Sequence, residues 1–514
     1  MFLGRDPTMK SVSEYDLIVV GGGMGGLATA ALAQRSGMRV ALCESHTKLG
    51  GCAGYFARGA YHFDAGATAL MGLNAGEPIG DLLASIGVDF QSVRTPSYRV
   101  CLPDRELAIT SESSAFEAEA ARIFPGNEAA KTRFWRLQER IGNRLFAAAS
   151  RVPRLPARSI GDLVYDFRVL GFGGLLAAST SLLSVQDVLK LLRLNQDVPF
   201  RALVAMLLQD TAQAGPETVP FANASACLQA YRLGMSRPRG GMRALAEGIG
   251  GRFAAMGGDL RTATIVDRVE PREEGGFVVT TRRREKLIAK QVAFNLPLDL
   301  CSQLLGRALP KREPRSRAIW SAFTGYVAIR RSVVDDHGPL FHQVLQDYNK
   351  PIHDGNNVLV SLSPVEDEGY GPPDVRVATM STHTAPADWQ DLDHDAYLAK
   401  KQDYRDRMIN ALGRALPGAP ENLVHAEFAS PRSFARYTRR TSGAVGGPPV
   451  SRGNSNFFAV GSDVLGKDLW VVGDSVFPGQ GTMAVVLSAI RVVERITGTD
   501  WSAMRDKRPD PVYT

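Results

Sequence analysis

The feature that most constrains this 514-residue chain is an apolar run that ends in a cluster of glycines near the amino end. Residues 15–20 have the length of a strand, and apolar residues return at helical spacing from Leu27. Between them stand Gly21, Gly23 and Gly26. This spacing allows a tight turn that brings backbone N–H groups and a helix N-terminus up to a pyrophosphate. The pattern therefore predicts a strand, a turn and a helix that bind a dinucleotide.

A second strand-like run supports the same interpretation. Residues 39–43 lead into Glu44, which follows the glycine turn at close to the roughly 20 residues expected of the acid that binds a ribose diol. Gly50, Gly51 and Gly54 come soon afterwards, and only glycine lets main chain approach a ligand so closely. We therefore expect the cofactor site to continue from Glu44 through Gly50 and Gly51.

Another strand-to-glycine-to-helix turn closes the chain. The apolar residues 469–472 run into Gly473 and Asp474, and a helix is predicted from about Thr482. The sequence contains no second G-x-G-x-x-G motif, so both ends should bind one dinucleotide. This arrangement suits a long ligand such as FAD. Asp474 would accept its ribityl hydroxyls, and the positive end of the Thr482 helix would lie beside the flavin pyrimidine.

Composition and charge limit the possible partners. The chain is 44% hydrophobic and carries a formal net charge of +7, which is mild for its length. Without a basic tract or an RNA-binding motif, no nucleic-acid partner is expected, and no metal site is predicted. Five scattered cysteines without a C-x-x-C pair indicate free thiols. Because the first 14 residues also lack a secretory core, we expect a cytoplasmic protein.

The predicted elements divide the chain into five segments and indicate an α/β fold. Three of them, residues 15–100, 236–300 and 456–500, are expected to assemble a discontinuous Rossmann-like FAD-binding domain. The mainly helical residues 101–235 would form a substrate-binding and membrane-contacting region. Residues 301–455 would supply the mixed sheet of a substrate domain and a helix from about His394 to Ala415.

The middle FAD-binding segment has a helix and a group of strands. Leu245, Ile249 and Phe253 stand at i, i+4, i+8 and predict a helix after residue 242. The short apolar runs 264–269, 277–280 and 291–295, with turn residues between them, predict a β-meander.

The apolar region 169–208 has two interpretations. Residues 169–185 are uncharged but contain three glycines, and they fall short of the roughly 20 apolar residues that a spanning helix needs. Leucines interleaved with Lys190, Arg193 and Arg201 suit a helix that lies in a membrane interface. The same pattern suits a buried helical layer over a substrate cavity, and the sequence leaves both open.

Three motifs resemble those of the phytoene desaturase and carotenoid isomerase group of flavoproteins, within the glutathione-reductase-like and amine-oxidase-like superfamily. They are residues 50–64, 238–242 and 473–481, and the resemblance covers nearly the whole chain. Residues 474–478 lack the small-residue and Thr-His-Pro form of phytoene desaturases proper, which favours the carotenoid-isomerase branch. The resemblance implies bound FAD, a tunnel for a long apolar polyene, and peripheral association with the inner face of a membrane.

The motif positions and this resemblance together define the expected cofactor site. The resemblance adds a backbone contact to the adenine near Val266. The predicted cofactor-binding residues are Gly21, Gly23, Met24, Gly26, Glu44, Gly50, Gly51, Val266, Gly473, Asp474, Gly481, Thr482 and Met483.

A polyene reaction needs little from protein side chains. In desaturation, a hydride passes from an allylic C–H to flavin N5 and a proton leaves the adjacent carbon; in isomerisation, reduced flavin lends electron density transiently. The catalytic residues are therefore unassigned, with Cys52, His62 and Phe477 as weak candidates, since buried thiols and histidines more often serve packing. The electron acceptor is expected to be quinone or oxygen.

Several polar side chains also have predicted places. Gln480, with Phe477, is expected near the flavin, and Asp64 is expected to accept backbone N–H groups. Four arginines should form a solvated or membrane-facing patch, unless one of them pairs with a flavin phosphate. These are Arg432, Arg436, Arg439 and Arg440.

Two other functions stay open. An amine-oxidase-type flavin oxidase would need an aromatic cage and a hydrophilic funnel, and the apolar residues 169–208 argue against it. A non-catalytic flavin-binding redox protein would usually add a partner-binding domain or a disulfide pair, and the sequence indicates neither.

Overall fold

The structure is a computed structural model and describes residues 14–95, 97–308 and 319–506, which contain eighteen strands and fourteen α-helices. The strands are β1 (Glu14–Val20), β2 (Val40–Cys43), β3 (Tyr55–Arg58), β4 (Tyr61–Asp64), β5 (Ser92–Arg94), β6 (Ser97–Cys101), β7 (Glu106–Thr110), β8 (Ser236–Pro238), β9 (Asp259–Arg261), β10 (Val266–Pro271), β11 (Phe277–Thr281), β12 (Lys286–Phe294), β13 (Ser321–Arg330), β14 (Phe341–Leu345), β15 (Asn357–Leu362), β16 (Val375–Thr384), β17 (Leu423–Ala429) and β18 (Leu469–Val471). The helices are α1 (Met24–Arg35), α2 (Pro78–Ile86), α3 (Ser113–Ile123), α4 (Glu128–Ala149), α5 (Ile160–Ser179), α6 (Val185–Leu191), α7 (Val198–Ala212), α8 (Phe221–Leu233), α9 (Gly241–Ala255), α10 (Leu298–Leu305), α11 (His394–Ala415), α12 (Pro431–Thr438), α13 (Thr482–Thr497) and α14 (Trp501–Asp506).

Three separate parts of the chain build the first sheet. Its path is β10-β11-β12-β1-β2-β9, and β18 pairs with β12 in addition. Strands β1, β2, β12 and β18 run parallel, whereas β10, β11 and β12 form the antiparallel meander that the sequence predicts. Because parallel strands end at one edge, the turns after β1, β2, β12 and β18 lie together at that edge.

Helices cover one face of this sheet. Helix α9 places Leu245, Ile249 and Phe253, at the predicted i, i+4, i+8 spacing, in the core that it shares with α1 and α13. All three side chains are completely buried. Burial of such a side chain contributes about 1.5–3 kcal/mol, so this layer holds the edge turns on a rigid support.

The second sheet carries the other half of the molecule. Its order is β17-β13-β16-β15-β14-β6-β7, antiparallel except for the β14–β6 pair. Helix α11 has the bounds that the sequence predicts and buries Tyr404, Met408 and Ala411. Residues of α4, α7 and α8 share its core, so the predicted α/β fold with a mixed sheet and a helical subdomain is confirmed.

The two parts of residues 169–208 have different surroundings. In α7, Phe200, Leu203 and Leu207 are buried in the core, so this part forms a helical layer within it. In α5, Phe172 is 82% exposed and Leu176 58% exposed. Among the described residues, no helix combines the length and apolar character needed to cross a bilayer.

A buried ion pair links α9 to the second sheet. The Arg237 guanidinium donates to Asp64 at 3.0 Å and also bonds Tyr370 and Ser361. The other Asp64 oxygen accepts the Met242 backbone N–H at 2.8 Å, which agrees with the prediction for Asp64. Burial raises the pKa of Asp64, although Arg237 and the Met242 N–H oppose that shift.

Replacing one partner should therefore be costly. We expect Arg237→Met to lower the free energy of unfolding by about 3–5 kcal/mol, because it leaves the Asp64 carboxylate buried without its cation. The matched control is Arg122→Met, which removes an exposed pair with Glu119 and should cost less than about 1 kcal/mol. Urea unfolding measures both, and equal costs for the two variants would contradict this account.

Candidate functional site

The turn after β1 holds its backbone in a shape that favours glycine. Gly21 has a φ of +103°, and its N–H donates to the Cys43 carbonyl at 2.8 Å. A Cβ added to Gly26 would lie 2.0 Å from the Gly21 carbonyl oxygen, so α1 packs directly against the turn. The first turn of α1 has no acidic residue, and Gly23 supplies no side-chain cap. Its N–H groups are therefore available to bind an anion.

Glu44 and Gly50 lie beside this turn. The Glu44 carboxylate accepts the Gly22 N–H at 2.6 Å and the His46 N–H at 2.7 Å. These bonds fix the carboxylate at the end of β2, where an acid binds a ribose. The Gly50 N–H donates to the Gly22 carbonyl at 2.9 Å, and a Cβ on Gly51 would lie 3.1 Å from Gly23 Cα. The predicted first half of the site is thus brought together.

The two ends of the chain meet at Asn295, a residue that sequence reasoning missed. The Asn295 side-chain amide donates to the Val472 carbonyl at 3.2 Å. A Cβ added to Gly473 would lie 2.5 Å from Asn295 Nδ2, and one added to Gly25 would lie 3.3 Å from the Gly473 nitrogen. The sequence signal that could have identified Asn295 is its position directly after a parallel strand, where ligands bind such sheets.

The carboxyl-terminal turn carries a charge pair inside the site. Asp474 accepts from Arg440 at 2.6 Å, and Arg440 also donates to the Gly446 carbonyl. The expectation of an exposed arginine patch is therefore wrong for Arg440, which is largely buried. Helix α13 begins at Thr482 with no acidic residue in its first turn and no side-chain cap. The positive end of α13 thus stays available for a ligand.

The other three arginines of the predicted patch, Arg432, Arg436 and Arg439, are exposed. Arg432 donates to the Leu392 carbonyl at 2.7 Å, so its side chain is held against backbone and not against an acid. Of the four arginines, Arg440 is the one that forms an ion pair with Asp474.

A cavity of about 2120 Å³ joins these elements. Every predicted cofactor-binding residue lines it except Gly26 and Gly473, which allow the neighbouring backbone to pack. Pockets for drug-sized ligands have volumes of roughly 300–1,000 Å³, so this larger cavity can hold a dinucleotide together with a second molecule. Outside the turns, the cavity is lined by apolar and aromatic side chains, which include Tyr98, Leu145, Phe146, Met235, Phe341 and Leu359, together with charged ones such as Lys401, Arg405 and Arg432.

The weak catalytic candidates have different positions. Cys52 lines the cavity, but burial raises the pKa of its thiol and disfavours the thiolate. Phe477 lines it beside Arg491, and Gln480 donates to the Thr211 carbonyl at 2.7 Å. His62 lies on β4 and is not among the residues that line the cavity, so it has no access to the site from there.

The site fits FAD. It combines glycine contacts that a Cβ would block, a fixed acid after β2, and a second helix N-terminus at the far turn. Within the described residues, no group of three or more His, Cys, Asp or Glu side chains is arranged to hold a metal ion. These features define a flavin-dependent oxidoreductase.

The model of the flavin containing amine oxidoreductase family matches residues 24–497, and the chain belongs to this family. It is an FAD-dependent enzyme, as the sequence predicts.

Two curated relatives and one solved structure show the nature of the similarity. The chain is 24% identical over 499 residues to the chloroplastic prolycopene isomerase of Daucus carota, covering 94% of this chain and 80% of that protein. It is 24% identical over 558 residues to the neurosporene-forming phytoene desaturase of Cereibacter sphaeroides, covering 98% of each. Wild-type putrescine oxidase bound to putrescine has the same fold, with a TM-score of 0.62 at 16% identity, covering 95% of this chain and 99% of that one. The predicted resemblance is confirmed.

The glycine turn provides a direct test of cofactor binding. We expect Gly26→Ala to yield protein without flavin, because the new methyl group would lie 2.0 Å from the Gly21 carbonyl and push α1 away from the turn. The control is Gly251→Ala in α9, whose Cβ would meet no atom within 4 Å. The ratio of flavin to protein absorbance measures both, and a Gly26→Ala protein with full flavin content would refute the predicted role of this turn.

Proposed function

We propose that the protein acts on a long apolar polyene or isoprenoid of the carotenoid kind, by desaturation or by cis–trans isomerisation. The observation that carries this proposal is the cavity, whose apolar and aromatic part continues directly from the cofactor turns. The prolycopene isomerase and phytoene desaturase relatives support the same substrate class.

Two histidines of the cavity are uncharged near neutral pH. His342 and His383 line its wall, and burial lowers the pKa of each to about 4. Both imidazoles are therefore neutral at pH 7. A hydrocarbon chain can pack against neutral imidazoles without any charge being removed from water.

The cofactor and the protein would have different roles in the reaction. Bound FAD supplies the hydride acceptor for desaturation, or the electron density for isomerisation. The chain positions the polyene along the apolar wall and excludes water, which supplies much of the catalysis through orientation. Asp474, Thr482 and Met483 belong to the turn proposed to hold the flavin, and Val266 to the part proposed to hold the adenine. Quinone or oxygen is proposed as the electron acceptor.

We base the proposed domain division on which segments supply the strands of the first sheet. Residues 15–100, 236–300 and 456–500 would bind FAD, since they supply the strands of the first sheet. Residues 101–235 and 301–455 would surround the substrate.

The decisive experiment uses cells that make carotenoid precursors. We expect expression of the protein to change the absorption spectra and retention times of the extracted polyenes, and expression of Gly26→Ala to leave them unchanged. With purified, FAD-loaded protein under anaerobic conditions, the polyene extract should bleach the flavin if the reaction is desaturation. Bleaching by amines without any polyene change would contradict the proposal and favour an amine oxidase.

Helix α5 suggests how an apolar substrate reaches the cavity. Leu170 lines the cavity. Ile160 and Phe172, which lie on either side of the kink in α5 at Gly171, are 81% and 82% exposed, and Leu182 just beyond α5 is 75% exposed. An exposed apolar surface of this kind marks an interaction site. We propose that this surface rests on a membrane at its cytoplasmic face and admits polyene from the bilayer.

Charges on this surface should weaken membrane binding. We expect the double variant Phe172→Asp, Leu182→Asp to lower the affinity for phosphatidylglycerol vesicles by about tenfold or more per residue, since each loses roughly 1.5–3 kcal/mol of apolar burial. The control is Val424→Asp on β17, an exposed residue away from α5. Vesicle co-sedimentation measures the three proteins, and equal binding by all of them would exclude this surface.

A further inference from the structure

One carboxyl group of the cavity has an unusual setting. Asp210 lies near the end of α7 and lines the cavity, and its side chain keeps part of its surface accessible there. Its Oδ2 accepts the Tyr231 hydroxyl at 2.6 Å. Its Oδ1 accepts no hydrogen bond from any described residue, and no described cation pairs with the carboxylate. Asp210 thus presents an open oxygen to the cavity.

The other carboxylates of the cavity wall are already engaged. Asp474 pairs with Arg440 at 2.6 Å, and Glu427 pairs with Arg58 at 2.7 Å. Glu44 holds two backbone N–H groups, and Asp267 lies 3.7 Å from Arg282 among the residues that surround Val266. Among the described residues, Asp210 is therefore the carboxylate of this wall that has neither a cationic partner nor a backbone N–H donor.

The end of α7 is tied to the cofactor turn. Thr211, the residue after Asp210, accepts through its carbonyl the Gln480 side-chain amide at 2.7 Å. Gln480 stands two residues before Thr482, where α13 begins. The Tyr231 ring, whose hydroxyl bonds Asp210, packs edge to face on the ring of Tyr98, a residue of the cavity wall, with centroids 4.7 Å apart. Asp210 therefore lies where the cofactor turn and the apolar wall meet.

We propose that Asp210 exchanges a proton with the substrate during the reaction; the inference rests on the polyene function proposed above. In desaturation, two hydrogens leave adjacent carbons. One leaves as a hydride, with FAD as its acceptor. The other leaves as a proton to the Asp210 carboxylate, and the electron pair of that C–H bond becomes the new C=C bond. The substrate loses two electrons, which bound FAD would accept, and Asp210 becomes a carboxylic acid that later returns its proton to water.

The same group serves isomerisation in the opposite direction. The π electron pair of a C=C bond takes up the proton of the Asp210 carboxylic acid and forms a new C–H bond, while the O–H electron pair stays on the carboxylate. The polyene is left with a delocalised positive charge, which the electron density of bound reduced flavin would stabilise. Rotation about the former double bond follows, and the proton then returns to the carboxylate. No electron is gained or lost overall, so this route needs no external oxidant.

The protonation state of Asp210 suits either direction near neutral pH. Burial raises the pKa of Asp210 to about 6, although the Tyr231 hydroxyl opposes this shift. The titratable groups that face it are Tyr98, Cys227 and Tyr231. Burial raises the pKa of the Cys227 thiol to about 11 and the pKa values of both tyrosines well above their usual range. A desaturation that needs the carboxylate should accelerate as pH rises through about 6, and an isomerisation that needs the acid should slow.

Asp210→Asn tests the proposal in the FAD-loaded protein. The amide keeps the shape of the side chain and accepts the Tyr231 hydroxyl, but it cannot take up a proton. We expect full flavin content and a fall of about 10²–10⁴-fold in polyene conversion. Infrared titration of the wild type should show a carboxylic-acid band with a midpoint near pH 6 that is missing in the variant. The control is Asp406→Asn on the exposed side of α11, which should keep both the band and the conversion rate.

Tyr231→Phe provides a second variant that retains the carboxyl group. Because the Tyr231 hydrogen bond favours the carboxylate, its loss should move the infrared midpoint and the pH profile of conversion upward together. If Asp210→Asn converts polyene as fast as an active wild type, the role of Asp210 is overturned and the proposed function stands. The same holds if the pH profile of conversion in Tyr231→Phe stays in place while the infrared midpoint moves. A wild type that converts no polyene would overturn the proposed function, and with it the proton exchange that rests on it.

Discussion

The close approach of two glycine turns, one near each end of the chain, is the contact on which the rest of the structure depends. It is possible because β1, β12 and β18 run parallel and end at one edge, and because neither Gly25 nor Gly473 has a side chain to separate the turns. Asn295 joins them with a single amide. Remote parts of the sequence thereby form one continuous surface with two helix N-termini, and an elongated dianionic cofactor matches that surface.

Much of this was predictable from sequence because the signals are local. The strand before Gly21, the spacing of Leu245, Ile249 and Phe253, and the bounds of α11 each follow from periodicity within one segment. Asn295, Arg440 and Asp210 could not be assigned in the same way. Asn295 bonds Val472, about 180 residues further along the chain, and Thr211 next to Asp210 bonds Gln480, about 270 residues further along. No local sequence pattern indicates that these residues are close in space.

The apolar region divides for a similar reason. Periodicity alone cannot distinguish a helix that faces lipid from one that faces a core, because both need the same residues. Phe200 is buried because it packs against Phe134 and Trp135 of α4, and α7 also packs against α8, whereas Phe172 on α5 is largely exposed. Region 169–208 thus contains a buried apolar helix, α7, and an exposed apolar surface on α5, where Leu170 lines the cavity.

The most direct measurement is a crystal structure of the FAD-loaded protein. The account predicts the pyrophosphate at the N-terminus of α1, the ribose at Glu44, and the isoalloxazine beside Asp474 and Thr482, with one ring face open to the apolar wall. FAD bound by the amino-terminal turn alone, with its ring system far from Asp474, would contradict the claim that both ends of the chain form one cofactor site.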